Sequence, residues 1–169
     1  SSVVLLDANT IEAQSTNHFE QLAYLVPNLN FAASDSRARY FQIRGIGERS
    51  GYQGTPNSSV GFLIDDIDYS GQGGIATTFD VDQIEIHRGP QGSRIGANAL
   101  AGLIYIKTKD PTDEFEAAGE ITLGSYGKRS TGFAVGGPLN ENKNISYRLA
   151  LSQDKTDGFR KNLYLKRSD

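Results

Sequence analysis

Two periodicities organise the chain. Ile84 and Ile86 alternate with Glu85 and His87, the period of two expected of a half-buried strand. The run meets Arg88-Gly89-Pro90, where pairing is expected to stop because proline has no N–H to donate. Gly92, Gly96 and Gly102 punctuate the next residues, and Ala97 to Ala101 are expected to supply one helical turn between them. Leu103, Ile104, Tyr105 and Ile106 predict a second strand that turns polar at Lys107 and halts at Asp110-Pro111. Residues 82–111 thus read as strand, tight glycine-rich bend, strand.

Upstream, residues 3–6 read as a strand. Phe19, Leu22, Ala23, Leu25 and Val26 then recur on helical spacing until Pro27 ends the run. Asn17 followed by Glu20 resembles a capping box for that helix. Residues 28–31 and 40–44 read as strands around a polar segment, 33–39, and residues 48–59 form a second long loop. Residues 60–64 and 67–69 bracket Asp65-Asp66, a pair that tolerates the positive φ of a two-residue hairpin. A third loop follows at 69–75. Asp66-x-Asp68-x-Ser70-Gly71 has the alternating oxygens of a calcium loop, but its twelfth position is Thr77 and its flanks are strands, so it is read as a turn.

After Pro111 the period of two returns three times. Ile121 and Leu123 oppose Glu120 and Thr122; Thr131, Phe133 and Val135 oppose Gly132, Ala134 and Gly136; Ile145, Tyr147, Leu149 and Leu151 oppose Ser146, Arg148, Ala150 and Ser152. A soluble sandwich shares this period. The Ile, Tyr and Leu face set against Arg148, and the short 137–142 turn, favour strands that face lipid. Residues 154–169 read as the start of a longer loop.

Composition narrows the function classes. The 169 residues support one modest core with an appendage. Nineteen glycines with eight Tyr and eight Phe favour turns and strands over a helical bundle. A net charge of -3 with interspersed signs offers no basic stripe for nucleic acid. The absence of cysteine rules out disulfides and thiolate metal sites. No apolar run approaches the roughly 20 residues of a membrane helix, which leaves barrel strands open. His18 and His87, the only two imidazoles, have neither metal-pair spacing nor an adjacent nucleophile, and the glycine run lacks the Lys-Ser/Thr ending of a phosphate loop. No enzyme, cofactor or metal site is expected.

The run I-E-I-H-R-G-P-Q-G-S-R-I-G-A-N-A-L-A-G-L-I-Y-I-K-T-K resembles the plug core of TonB-dependent outer-membrane receptors. Ile95 stands where that family commonly has an aromatic. Phe41-Gln42-Ile43-Arg44-Gly45-Ile46-Gly47 resembles its I-R-G-x-G segment, and residues 60–69 its hairpin, with Asp66 where glycine is usual. The resemblance implies an α+β fold: a mixed-sheet plug domain with short helices over residues 1–113, followed over 114–169 by the first three antiparallel strands of a large transmembrane β-barrel.

The same resemblance implies TonB-dependent uptake of a scarce nutrient across the Gram-negative outer membrane. A ferric siderophore is the foremost candidate, ahead of haem, cobalamin or a glycan. The partner TonB, with its inner-membrane energising complex, would grip a box upstream of the first strand, so Ser1 is expected to be an internal boundary. The polar loops would form the floor of a ligand vestibule, with Arg37, Arg39, Arg49, Tyr52, Gln53, Tyr69 and Gln72 as candidate contacts. Cations suit an anionic ferric chelate, whereas Tyr and Gln suit a sugar.

Arg44 and Arg88 each end a strand just before a glycine, which lets a guanidinium approach a carboxylate or another backbone closely. They also read simply as surface residues fixed by local hydrogen bonds. The resemblance implies ion pairs with glutamates of an inner barrel wall beyond Asp169, locking the plug in place. Two other classes remain open: a passive porin or adhesin barrel, and a soluble plug-like binding or signalling module.

Overall fold

The computed structural model describes residues 2–14, 18–33, 38–47, 58–72, 77–91, 99–125, 127–155, 161–162 and 167–168. The chain divides into two compact units, residues 1–109 and 110–169. In the first, β1 (Ser2–Asp7) leads into a short helix α1 (Ala8–Ala13), and a 3-10 helix covers Phe19–Leu25. β2 (Leu29–Ala33) and β3 (Ala38–Ile43) follow, then β4 (Val60–Ile64), β5 (Ile67–Asp68), β6 (Val81–Arg88) and β7 (Gly102–Thr108).

Five of these strands form one sheet in the order β1-β6-β7-β4-β5. β1, β6 and β7 pair antiparallel, whereas β4 runs parallel to β7, so the sheet is mixed. β2 and β3 make a separate antiparallel pair. Alternation sends Ile84 and Ile86 of β6, Ile104 and Ile106 of β7 and Phe62 of β4 to one face of the sheet, all essentially fully buried.

Phe19, Phe41 and Phe62 knit the 3-10 helix, β3 and β4 onto that face. Phe41 stacks on Phe62 at 5.6 Å between ring centroids, and Phe19 meets Phe41 edge-on at 5.0 Å. Each ring removed from water is worth about 2–3 kcal/mol. Leu63, Ala99, Leu103 and Tyr105 form a smaller cluster on the opposite side.

The 65–66 hairpin has the expected conformation: Asp65 and Asp66 sit at φ 47° and 68°, matching a turn whose twist suits antiparallel strands. Asp65 also anchors the turn to β7, its carboxylate accepting the Thr108 N–H at 2.9 Å and the Thr108 hydroxyl at 2.6 Å.

Three local expectations are corrected. The capping-box reading does not hold: His18 occupies the N-cap position of the 3-10 helix without a side-chain cap, and Asn17 lies outside the described residues. A different cap appears earlier, where Asp7 accepts the Thr10 N–H at 2.8 Å and starts α1. The side-chain and backbone hydrogen bonds with Thr10 hold the Asp7 carboxyl below its ordinary range.

Pairing also continues past Pro90. Gly89 N–H donates to Ala101 O at 2.9 Å and Gln91 N–H to Ala99 O at 3.0 Å, so Pro90 occupies the position between ladder bonds where no N–H is needed. Ala99, expected in a helical turn, instead sits at φ 71°. It and Ala101 donate to the carbonyls of Ser58 and Ser59, which extends the β6, β7 and β4 ladder as three neighbouring chains.

The second unit holds β8 (Glu116–Leu123), β9 (Arg129–Pro138) and β10 (Ser146–Lys155), antiparallel in the order β10-β9-β8 with no register shift. Lys161–Asn162 and Arg167–Ser168 form a further short pair, β11 and β12. No helix among the described residues is long and apolar enough to cross a membrane, which does not bear on strands.

Candidate functional site

The Arg44 segment is a two-residue reverse turn rather than a simple strand end. Ile43 and Ile46 exchange backbone hydrogen bonds at 2.9 and 3.0 Å around Arg44 and Gly45, which sit at φ 56° and 79°. The Arg44 N–H is tied to Asn28 O at 2.9 Å. An arginine is thereby held in the left-handed region at an exposed tip, a placement glycine or asparagine would adopt more readily.

Arg88 ends β6 opposite Gly102 of β7. A Cβ on Gly102 would collide with the His87 carbonyl oxygen and fall 2.6 Å from Ile43 Cδ1. Ile43 therefore reaches the Arg88 end of the sheet, and the turn carrying Arg44 follows it directly. Both sequence-predicted lock arginines flank the same end of the sheet. The Arg88 Nε is buried and has no hydrogen-bond partner among the described residues, an arrangement that calls for an explanation because buried donors are normally satisfied.

Among the candidate ligand contacts, Arg37, Arg49, Tyr52 and Gln53 lie outside the described residues. Arg39 lies in β3, where only its backbone is described. Tyr69 is half-buried and packs against the main core, its N–H donating to Phe62 O at 2.8 Å. Gln72 follows in a turn closed by its N–H on Tyr69 O at 2.9 Å, with its side chain exposed.

Tyr40 belongs beside them. A Cβ on Gly71 would lie 3.7 Å from Tyr40 Cε1, so the start of β3 and the 69–72 turn are neighbours. The sequence placed Tyr40 only as a strand residue, since no local pattern reports that contact.

Within the calcium-like stretch, Asp68 and Ser70 spend oxygens on local backbone hydrogen bonds. Asp68 accepts the Ser70 N–H at 2.8 Å, and Ser70 Oγ accepts the Phe62 N–H at 3.0 Å. No group of three or more His, Cys, Asp or Glu side chains that could hold a metal occurs among the described residues. His87 lies in a polar row along β6, where Glu85 accepts from Gln83 at 2.8 Å and bonds His87 Nε2 at 2.7 Å.

The second unit is inverted relative to a soluble sheet. On β9, Ser130 and Ala134 are buried, Ala134 to 1% exposure, while Phe133 is 51% exposed. Ile121 and Leu123 on β8 are 77% and 75% exposed. Beneath them, Arg148 Nη1 lies 3.3 Å from Glu116 Oε2.

Comparison with known proteins agrees with this architecture. Residues 1–103 match the family model for the TonB-dependent receptor plug domain. The chain is 25% identical over 156 residues to the ferripyoverdine receptor of Pseudomonas aeruginosa, covering 91% of this chain and 18% of that protein. It is 30% identical over 89 residues to the vitamin B12 transporter BtuB of Vibrio vulnificus, covering 53% and 14%. The chain thus spans about a fifth or less of these relatives. In fold it resembles the ferric yersiniabactin uptake receptor FyuA of Yersinia pestis, with a TM-score of 0.80 and 24% identity over 99% of this chain and 26% of that one.

Proposed function

The chain belongs to the TonB-dependent receptor plug family, and from that premise we propose that it gates the uptake of a ferric siderophore across a Gram-negative outer membrane. The observation that carries the reading is the inverted sheet directly after the plug, with Phe133 open and Ala134 buried on successive residues. Such a sheet is stable where its apolar face meets hydrocarbon and its neighbours complete a closed barrel. On this reading residues 1–113 are the plug and 114–169 the first barrel strands.

The nutrient would bind from outside to the plug loops; the candidate contacts are Arg37, Arg39, Arg49, Tyr52, Gln53, Tyr69 and Gln72, with Tyr40 added for its closeness to Gly71. The foremost ligand is a ferric siderophore, the class taken by the similar ferripyoverdine receptor, and an anionic chelate would suit three plug arginines. Vitamin B12, named for another relative, is the next candidate. TonB, engaging a segment upstream of β1, would supply the energy.

The plug would be held by Arg44 and Arg88. An exposed arginine fixed on a rigid turn and a second with an unsatisfied Nε at the same sheet end suit carboxylates of an enclosing wall, because bidentate pairs in a partly dry lumen are strong yet separable.

The test is growth and uptake of labelled ferric pyoverdine, labelled ferrioxamine B or labelled cobalamin by a strain lacking the intact receptor. Restoration by the wild-type gene, dependent on TonB, with loss of binding on neutralising Arg37, Arg39 and Arg49, supports the ferric-chelate reading. Dependence on Tyr52 and Tyr69 instead would favour a glycan, and uptake independent of TonB would contradict the gating role.

A further inference from the structure

One face of the second unit is ordered along its length. Leu123 pairs with Arg129, and Arg129 pairs with Lys155, so these three form one row across the sheet. Two-residue steps place that row on the same face as Ile121, Phe133, Leu149 and Leu151. At the other end, Tyr147 pairs with Gly137, and a Cβ there would lie 3.0 Å from the Phe115 Cα. The face therefore runs from an aromatic end, through an apolar band and a mixed row of Gln153, Thr131 and Ile121, to a cationic end.

Tyr147 and Lys155 are about 26 Å apart along the strand at ~3.3 Å per residue, or roughly 20 Å along the normal for a strand tilted about 40°.

Charge on the sheet is segregated by face. Glu116, Glu120 and Asp154 all occupy the other face, where Glu116 meets Arg148 and Asp154 accepts from Ser130. Arg129 and Lys155 are exposed, and among the described residues neither side chain has an ion pair or hydrogen bond. No described carboxylate shares their face. Two unpartnered cations in register, above an apolar band and free of acids, are complementary to an anionic headgroup carried on acyl chains.

We propose that Arg129 and Lys155 form a docking site for a phosphorylated membrane lipid in the leaflet at the 124–128 end of the sheet. The guanidinium fork and the ammonium take the phosphate, and the acyl chains lie along Ile121, Phe133 and Leu151. This rests on the reading that the sheet belongs to a transmembrane barrel.

The test uses the intact receptor in phosphate-free digalactosyldiacylglycerol bilayers doped with either dioleoyl phosphatidic acid or dioleoylglycerol, followed by quantification of co-purified lipid. Phosphatidic acid should be retained in preference to dioleoylglycerol. The Arg129→Ser/Lys155→Ser variant should lose about thirty-fold in apparent affinity, roughly fivefold per cation. Arg129→Lys/Lys155→Arg should keep most of the preference, and Lys143→Ser, in the turn at the other end, should keep all of it. Equal retention of the two lipids, or unchanged retention by the serine variant, overturns the site. A receptor that enters the bilayer without phosphate preference refutes this site alone, whereas one that stays water-soluble refutes the barrel reading and the site with it.

Discussion

Arg148 reaches across the middle strand to place its Nη1 3.3 Å from the Glu116 carboxylate. The residue between them is Gly136, the register partner of both. A Cβ there would lie 2.9 Å from the Tyr147 carbonyl and 3.5 Å from the Arg148 Cγ. Gly136→Val is therefore expected to displace the guanidinium and destabilise the sheet by about 1–3 kcal/mol. Gly119→Ala, whose new carbon would meet only Gly132 O at 4.0 Å, should stay within about 0.5 kcal/mol. Thermal unfolding of the intact receptor separates the two.

Gly102 sets the end of the plug sheet where the arginines lie. Gly102→Ala must displace the His87 carbonyl, a backbone atom, as well as Ile43 Cδ1. A loss of about 3 kcal/mol is expected, with the earliest hydrogen exchange appearing at residues 87–89 and 101–103.

Arg44 separates folding from locking. Its left-handed conformation costs arginine more than asparagine, so Arg44→Asn should leave plug stability unchanged or raise it by up to about 1 kcal/mol. Combined with Arg88→Gln, it should nonetheless increase leakage of small solutes through the intact receptor. Unchanged leakage would remove both residues from the locking role.

Asp7 gives the first helix an acid-sensitive start. Its folded carboxyl is lowered by the hydrogen bonds with Thr10, so its contribution is present above the ordinary carboxylate range and is lost as pH falls through the folded value. Asp7→Asn keeps an acceptor for the Thr10 N–H and should flatten this part of the acid dependence. Amide exchange at Thr10 and Ile11 measured between pH 2 and 5 reads it.

Elements were legible where side-chain period and burial agree. Ile84 and Ile86, and the three runs around Ile121, Phe133 and Leu149, alternate because one face of each strand meets a different medium from the other. Asp65-Asp66 was legible because few residue pairs tolerate that turn. The α1 helix was not, since it buries only Ile11 and one residue cannot show a helical period. Ala99 misled for a related reason: alanine favours helix, yet burial beside Leu63 and Tyr105 and two ladder hydrogen bonds hold it at positive φ. Of the ligand floor, Tyr40 was invisible because its proximity to Gly71 arises only in three dimensions, whereas arginine and tyrosine in long polar loops stood out by type.

The central claim is that residues 116–155 cross a membrane as barrel strands. This sequence contains no cysteine; in an intact receptor with any cysteine elsewhere replaced, single cysteines at positions 131–135 and 147–151 can each carry a nitroxide, and their collisions with oxygen and with a water-soluble nickel chelate can be compared in lipid vesicles. The account predicts a strict alternation, with positions 133, 135, 149 and 151 exposed to the lipid-soluble relaxant and 132, 134, 148 and 150 shielded from it. Nickel-chelate access at positions 133 and 149 as high as at a water-exposed site, with no alternation of oxygen access between them and positions 134 and 148, would contradict it.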